Sequence, residues 1–423
     1  MASSDLSALS ARARAGDPRA QYELAAMLAR AGRPADADGW LRRAAEGGEP
    51  DALFTVATRA LSHSSTIADA AKQMRLAAKA GSTAAQRLSA SLVVQGFDTN
   101  TDWNAAIKQL LAAAKSGDIV AQRETALLLF ESDADDPTGV ALLANSARGD
   151  APAAAVEVAR AASGQAVAES SGIGDALKNL QAASYPRAEI LDGQLKKLGA
   201  DVNSIGYAAV SWEDIRERCQ DVVNWSAPQT ERISSSPKVG LFRQIFPPWI
   251  CEYVVAVGAR QLRPSFTIDP KTGVSRRDAF RTSMTATVGP ADCDVMLALL
   301  NFRLAILAGV PPNHGEFLSI LRYKPLEEYK PHFDWLPENE DRSRSGQRVA
   351  TALLYLNNDY DGGETQFTSA GISVQGDRGD VLVFRNVTDN GEPDLASKHA
   401  GLPVTRGEKW LASKWLRARQ YHF

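Results

Sequence analysis

This 423-residue chain reads as two architectures in series: an N-terminal all-α helical-repeat solenoid, then a C-terminal β-rich domain with supporting helices. Three observations predict this. Alanine-rich segments carry a glycine every thirty-odd residues as far as Gly149. Beyond about residue 237, short β-branched and apolar runs separated by Gly/Asp turns take over, which is strand patterning. Two longer apolar stretches with helical spacing accompany them, the second free of proline. The length fits two or three domains at about 150 residues each.

The repeats are visible when Ala15-Gly-Asp-Pro-Arg-Ala-Gln21, Gly47-Gly-Glu-Pro-Asp-Ala52, Ala80-Gly-Ser-Thr-Ala-Ala-Gln86, Ser116-Gly-Asp-Ile-Val-Ala-Gln122 and Arg148-Gly-Asp-Ala-Pro-Ala153 are aligned. Their glycines, Gly16, Gly48, Gly81, Gly117 and Gly149, stand 32, 33, 36 and 32 residues apart. A helix before each glycine (Trp40 to Ala45, Met74 to Ala80, Ile107 to Ser116) and one after it makes stacked helix pairs, with each glycine a helix end. The pattern resembles Sel1-like repeats and assigns residues 1–165 to that domain. Residues 166–236 read as a helical linker region. Within it Ser163 to Gly174 opens as a linker, Asp175 to Leu198 and Trp212 to Trp225 are helical, and Ser226 to Lys238 is a loop, with the boundary near Ser236.

In residues 237–423, Pro247 to Leu262 and Ala291 to Ala308 are helices packed outside a sheet. Gln347 to Leu356 and Val381 to Phe384 are strands, and Asp359 to Gly363 is a hairpin turn. Ser265 to Arg281 and Leu336 to Ser345 are polar loops.

The chemistry centres on Tyr329-Lys-Pro-His-Phe-Asp-Trp335. Only five histidines occur in the chain, and two of them, His332 and His399, join one short metal-binding pattern with Asp334. On an extended strand positions i and i+2 share a face, so His332 and Asp334 meet while Phe333 packs behind. Two histidines and one carboxylate on one face of an octahedron leave positions open for co-substrate and O2, the arrangement of non-heme Fe(II) oxygenases. Ten residues past His399, Lys409 follows an Arg406-Gly407 turn and begins a strand in which Lys409, Leu411, Ser413 and Trp415 share one face. The strands bearing His399 and Lys409 are expected to be neighbours. An ammonium near the metal suits the distal carboxylate of a dicarboxylate such as 2-oxoglutarate.

These residues carry a wider resemblance. Phe280-Arg-Thr-Ser283, Leu321-Arg-Tyr-Lys-Pro325, Glu328 to Trp335, Gly346 to Leu356, Gly362-Gly-Glu-Thr365, Gly379 to Phe384, His399-Ala-Gly401 and Gly407-Glu-Lys-Trp410, in that order, resemble the catalytic domain of prolyl 4-hydroxylases, members of the 2-oxoglutarate and Fe(II)-dependent dioxygenases. The resemblance implies a double-stranded β-helix (jelly-roll) core with His332, Asp334 and His399 as iron ligands. It implies that Tyr323 and Lys409 hold the far carboxylate of 2-oxoglutarate, that Trp415 lines the pocket, and that Arg348 and Tyr329 face the substrate, with Arg348 also in a catalytic role. The cofactor set is then Fe(II), 2-oxoglutarate, O2 and L-ascorbate. The favoured substrate is a prolyl residue of a peptide or protein, the two polar loops closing over it while the helical repeats hold a protein partner. One departure is Leu326, where the family usually has a glycine.

Composition bounds the alternatives. A net charge of −3 offers no basic field for nucleic acid or an anionic membrane. No apolar run reaches about 18 residues and no secretory core is visible at the start, so a soluble, cytoplasmic protein is expected. Cys219, Cys251 and Cys293 are odd in number and widely spaced, as reduced thiols are. Rival readings are the same chemistry on a small molecule such as a free amino acid, a scaffold with a vestigial oxygenase domain, and a zinc hydrolase, which would leave Lys409 and Tyr323 without a role.

Overall fold

The structure is a computed structural model and describes residues 3–62, 64–97, 100–199, 202–206, 211–268, 275–276, 280–338 and 340–422. Contacts divide the chain into two units: Met1–Thr125 with Ser211–Gln220 and Pro290–Ala298, and Ala126–Val210 with Asp221–Gly289 and Leu299–Phe423.

The repeats are helices α1 (Ser3–Arg14), α2 (Pro18–Arg30), α3 (Pro34–Glu46), α4 (Pro50–Ala60), α5 (Ile67–Lys79), α6 (Thr83–Gln95), α7 (Trp103–Lys115), α8 (Ile119–Ser132), α9 (Pro137–Ala147) and α10 (Ala151–Ala162). The expected glycines end helices. At Gly16, Gly48, Gly81 and Gly117 the backbone turns left-handed, with φ between 83 and 104°, a conformation that costs a side-chain-bearing residue about 1 kcal/mol or more. The next residue then opens the following helix. Asp17, Ser82, Asp118 and Asp150 each accept the backbone N–H three residues on. Prolines at the first turn of α2, α3, α4 and α9 give up an N–H that has no helical partner there. Alanines let neighbours approach closely, as where Ala25, Leu41, Ala44 and Ala52 pack together.

Residues 163–236 differ in detail from expectation. The linker holds strand β1 (Val167–Ala168), paired in parallel with β2 (Ser204–Ile205). The expected helix Asp175–Leu198 is two, α11 (Ile173–Ala182) and α12 (Ala188–Leu198), because Ser184 turns left-handed at φ 54° and Pro186 cannot continue a helix. Then comes α13 (Trp212–Gln220).

The β-rich domain runs β3 (Glu231–Ser235), β4 (Lys238–Phe242), α14 (Pro248–Ala259), β5 (Arg263–Pro264), β6 (Thr267–Ile268), β7 (Ser275–Arg276), β8 (Met284–Val288), α15 (Val295–Leu307), β9 (Leu318–Tyr323), β10 (Tyr329–His332), α16 (Glu340–Ser345), β11 (Arg348–Tyr355), β12 (Tyr360–Gly362), β13 (Thr365–Phe367), β14 (Ile372–Val374), β15 (Val381–Arg385), β16 (His399–Gly401), β17 (Val404–Gly407) and β18 (Lys409–Arg417). A major antiparallel sheet has the order β3-β4-β15-β11-β18-β9-β8-β5, and a minor one β10-β16-β13-β14. Together they form a jelly roll, whose core joins Leu321, Leu353, Tyr355, Leu382, Phe384 and Leu411 of the major sheet to Phe367 and Val374 of the minor. Helix α14 packs on β8 and β9, where a Cβ at Gly258 would lie 2.6 Å from Ile320. Glycine is what that close approach requires.

Four local expectations are corrected. Ser226–Lys238 is not all loop, since the polar run Glu231–Ser235 is an edge strand on β4. Asp359–Gly363 does not close a hairpin; β12 pairs with the distant β17, so Arg406-Gly407 is strand rather than turn. Leu336–Ser345 contains helix α16. Of the loop Ser265–Arg281, residues 269–274 and 277–279 lie outside the described residues, and β6 pairs with β7 at its edges. No described helix is long and apolar enough to cross a membrane.

Candidate active site

The minor sheet places the two histidines. His332 ends β10 and is register partner to His399 at the start of β16, which leaves the imidazole centroids 4.3 Å apart. Asp334 follows β10 in a bend rather than on the strand, so the shared face comes from that bend. Its carboxylate oxygens lie 3.6 Å from His332 Nε2 and 3.7 Å from His399 Nε2. One donor atom from each of the three residues falls within 4.8 Å of the others.

The outer groups fix which ring atoms face inward. His332 Nδ1 lies 2.8 Å from the Lys330 carbonyl and His399 Nδ1 2.9 Å from that of Ser397. A carbonyl only accepts, so both Nδ1 atoms carry protons and both Nε2 atoms face Asp334. Burial, then the neighbouring His332, pushes His399 down to about 4, leaving it a neutral ligand at neutral pH. Burial alone would raise the Asp334 carboxyl, but its polar and charged neighbours, the Arg348 guanidinium among them, outweigh burial and keep it ionised. Two imidazoles and a carboxylate, already oriented, fit an Fe(II) ion.

The far wall belongs to the major sheet. Here one expectation fails: the strands of His399 and Lys409 are not neighbours. After β16 the chain forms β17 on β12 and then crosses to the major sheet, where β18 lies between β9 and β11. His399 and Lys409 consequently line one cavity from opposite sheets, with Tyr323, Tyr329, Asp334 and Trp415 among the other lining residues. Lys409 is 3% exposed and pairs in register with Tyr323. Its Nζ donates to the Gly363 carbonyl at 2.6 Å, and no carboxylate among the described residues forms an ion pair with it. Burial pushes the ammonium down to about 8, against the opposing pull of Glu364. A buried cation with no ion-paired carboxylate among the described residues, lining the same cavity as the metal ligands from the opposite sheet, fits a ligand carrying two acidic ends.

Tyr329 stacks on the His332 ring at 3.5 Å and 18°. Arg348 is not among the lining residues. Its guanidinium donates to both oxygens of Glu316, at 2.6 and 2.8 Å, and lies 4.2 Å over the Trp415 ring, which does line the cavity. Leu326 keeps a left-handed φ of 71° in the turn Lys324–Glu327, so the glycine-like backbone persists without the glycine.

Several residues had no role in the sequence reading. Arg281 lines the cavity with its guanidinium 4.8 Å from the Tyr329 ring, although Phe280-Arg-Thr-Ser283 belonged to the matching series. Thr351 bonds Asp334. Its signal was there: in β11 it is a polar residue on the face shared with Leu353 and Tyr355.

Comparison with known proteins agrees with this geometry. Residues 318–417 match the 2OG-Fe(II) oxygenase superfamily. Prolyl 4-hydroxylase 1 of Arabidopsis thaliana is 35% identical over 203 residues, covering 45% of this chain and 72% of that protein. Probable prolyl 4-hydroxylase 3 of the same plant is 30% identical over 211 residues, covering 45% and 73%. Among solved structures, the viral collagen prolyl hydroxylase of Paramecium Bursaria Chlorella virus-1 is similar at 22% identity and TM-score 0.33, over 43% of this chain and 96% of that one. A Sel1 repeat protein from Oxalobacter formigenes is similar at 20% identity and TM-score 0.33, over 45% and 77%. The chain belongs to the prolyl 4-hydroxylase-like 2OG-Fe(II) oxygenases. It is a 2-oxoglutarate-dependent dioxygenase of hydroxylase type, and its family implies Fe(II), 2-oxoglutarate and O2.

Proposed function

We propose that this enzyme hydroxylates a prolyl residue in a peptide or protein, with succinate and CO2 as co-products and ascorbate as reductant. The observation that carries the reading is the cavity itself, lined by His332, Asp334 and His399 and, from the opposite sheet, by Lys409 with no ion-paired carboxylate among the described residues, in a segment 35% identical to a prolyl 4-hydroxylase. Fe(II) held by the three ligands would supply O2 activation coupled to oxidative decarboxylation of 2-oxoglutarate. The chain supplies orientation. Lys409 and Tyr323 hold the distal carboxylate, which points the keto-acid end toward the ligands. Leu321, Leu353 and Leu411 line the walls between and exclude water. Tyr329, Arg281 and the Arg348–Trp415 stack surround the place where the prolyl ring is received, and the helical repeats recruit the protein that presents it.

The test is incubation of the full chain with Fe(II), 2-oxoglutarate, ascorbate and either proline-containing peptides or free L-proline, followed by fragment mass spectrometry. A gain of one oxygen on a peptide proline is the expected result. Turnover of the free amino acid with untouched peptides would move the substrate to the small-molecule class.

A further inference from the structure

One side chain of the site is oriented by a relay that runs through the major sheet. Thr351 Oγ1, on β11, lies 2.7 Å from Asp334 Oδ2. Asn386, which follows β15, places its Nδ2 3.0 Å from the same Thr351 oxygen. Thr351 and Asn386 are wholly buried and Asp334 is 5% exposed, so water does not compete for these groups.

The direction of the relay follows from proton counting. An ionised carboxylate only accepts, so the single hydroxyl proton of Thr351 must go to Asp334. The Thr351 oxygen is then left with lone pairs, and Asn386 must present its amide NH2 to it rather than its carbonyl. Asn386 Oδ1 is correspondingly the end without a partner. The chain of donors is therefore Asn386 to Thr351 to Asp334, fixed at its far end by the backbone of β15. Its effect is to pin one carboxylate oxygen. With Oδ2 engaged by Thr351, Oδ1 lies 3.6 Å from His332 Nε2 and takes no donor as close as Thr351 among the described residues, so it is the oxygen with lone pairs to spare for a cation.

We infer that Thr351 is a positioning residue for the metal, holding the Asp334 carboxylate in a one-oxygen binding orientation, with Asn386 setting the Thr351 rotamer. The inference rests on the reading of His332, Asp334 and His399 as the metal ligands. A buried hydroxyl serving stability alone would leave metal affinity unchanged when replaced, which separates the two roles.

The experiment is titration of the full chain with Co(II), a spectroscopic stand-in for Fe(II), followed by visible absorption, with far-UV circular dichroism and the thermal midpoint on each variant. Asp334→Ala and His399→Ala must lose Co(II) binding; if they keep it, the ligand assignment falls, and this inference with it. Thr351→Val keeps the side-chain shape and removes the donor, and should weaken Co(II) binding by about ten- to a hundredfold at unchanged fold. Thr351→Ser restores the hydroxyl and should return affinity to within about threefold of wild type. Asn386→Ala reads the relay from its other end and should weaken binding by a smaller factor; it stands in if Thr351→Val does not fold. Wild-type affinity in folded Thr351→Val, while Asp334→Ala binds nothing, would overturn the relay alone. A Thr351→Ser variant as weak as Thr351→Val would do the same, because it would locate the effect in packing.

Discussion

At the scale of single residues, electrostatics in the cavity lead to two predictions. Burial pushes the Lys409 ammonium down to about 8, and on the proposed function the charged form is the one that binds the dicarboxylate. Affinity for 2-oxoglutarate, measured by anaerobic calorimetry, should be flat below that pH and weaken by up to about tenfold per unit above it. Lys409→Met should bind weakly with no such slope; a wild-type profile flat to high pH would assign the carboxylate to another cation. Glu316 is the second case. Burial would raise its carboxyl, but Arg348 and Arg417 both bond it and hold it below the ordinary value. With a folded-state value below the unfolded one, its stabilisation is complete above the unfolded carboxyl pKa and disappears as pH falls through the folded value. Glu316→Gln should lower stability by roughly 3–5 kcal/mol at neutral pH, since it leaves two guanidinia short of their charge partner. Thermal midpoints across an acid series check this: the variant should show less acid dependence than wild type.

At the scale of elements, the loop Leu336–Ser345, which was expected to close over the substrate, is tied at its base to Gln347. Gln347 clips its neck, accepting the N–H of Leu336 at 2.5 Å and of Arg348 at 2.9 Å and donating to the Leu336 carbonyl at 2.9 Å. The C-terminal strap holds α16: Arg417 bonds the Gly346 carbonyl and Asp341, Arg419 donates to the Ser343 carbonyl, and Ser345 bonds the His422 backbone. Both ends of this stretch are close in sequence to the site, Asp334 before it and Arg348 after it. Gln347→Ala strands partly buried backbone groups, costing about 1 kcal/mol. Hydrogen–deuterium exchange should accelerate at Leu336 and through α16; unchanged exchange there would mean the strap alone suffices.

At the scale of the molecule, the helical segment Ala126–Val210 belongs to the same unit as most of the β-domain. Helix α10 packs on α14, and Phe130 meets Trp249 edge-on at 5.6 Å. Arg187, 1% exposed between α11 and α12, donates to Glu252 of α14 and to Asp359 ahead of β12. Removing it leaves the buried Glu252 with the neutral Tyr185 hydroxyl but without its charge partner. Arg187→Met should therefore cost roughly 3–5 kcal/mol and lower the thermal midpoint, whereas Arg187→Met/Glu252→Leu should recover much of the loss. No recovery would show that Asp359, and not Glu252, carries the coupling. A cut at residue 165 would likewise strip α10 from α14, so the part of the repeats in substrate choice is best tested in the full chain.

What the sequence determined by itself is what short-range spacing encodes. The glycine followed by Asp or Ser in the repeats specifies a helix end and the next helix start, both decided within four residues. His332, Asp334, His399 and Lys409 are picked out by residue type and separation as a candidate metal group and a candidate cation for an acidic co-substrate, and all four line one cavity. The tertiary structure decided what depends on strands distant in sequence. It put His399 and Lys409 on opposite sheets, because β17 finds its partner in β12 and turns the chain across the roll. It turned Arg348 onto Glu316 and Trp415, and it joined Asp334, Thr351 and Asn386 into one relay. The physical reason is that hydrogen-bond partners between strands are chosen by register and burial. Neither exists until the two sheets close on a common core.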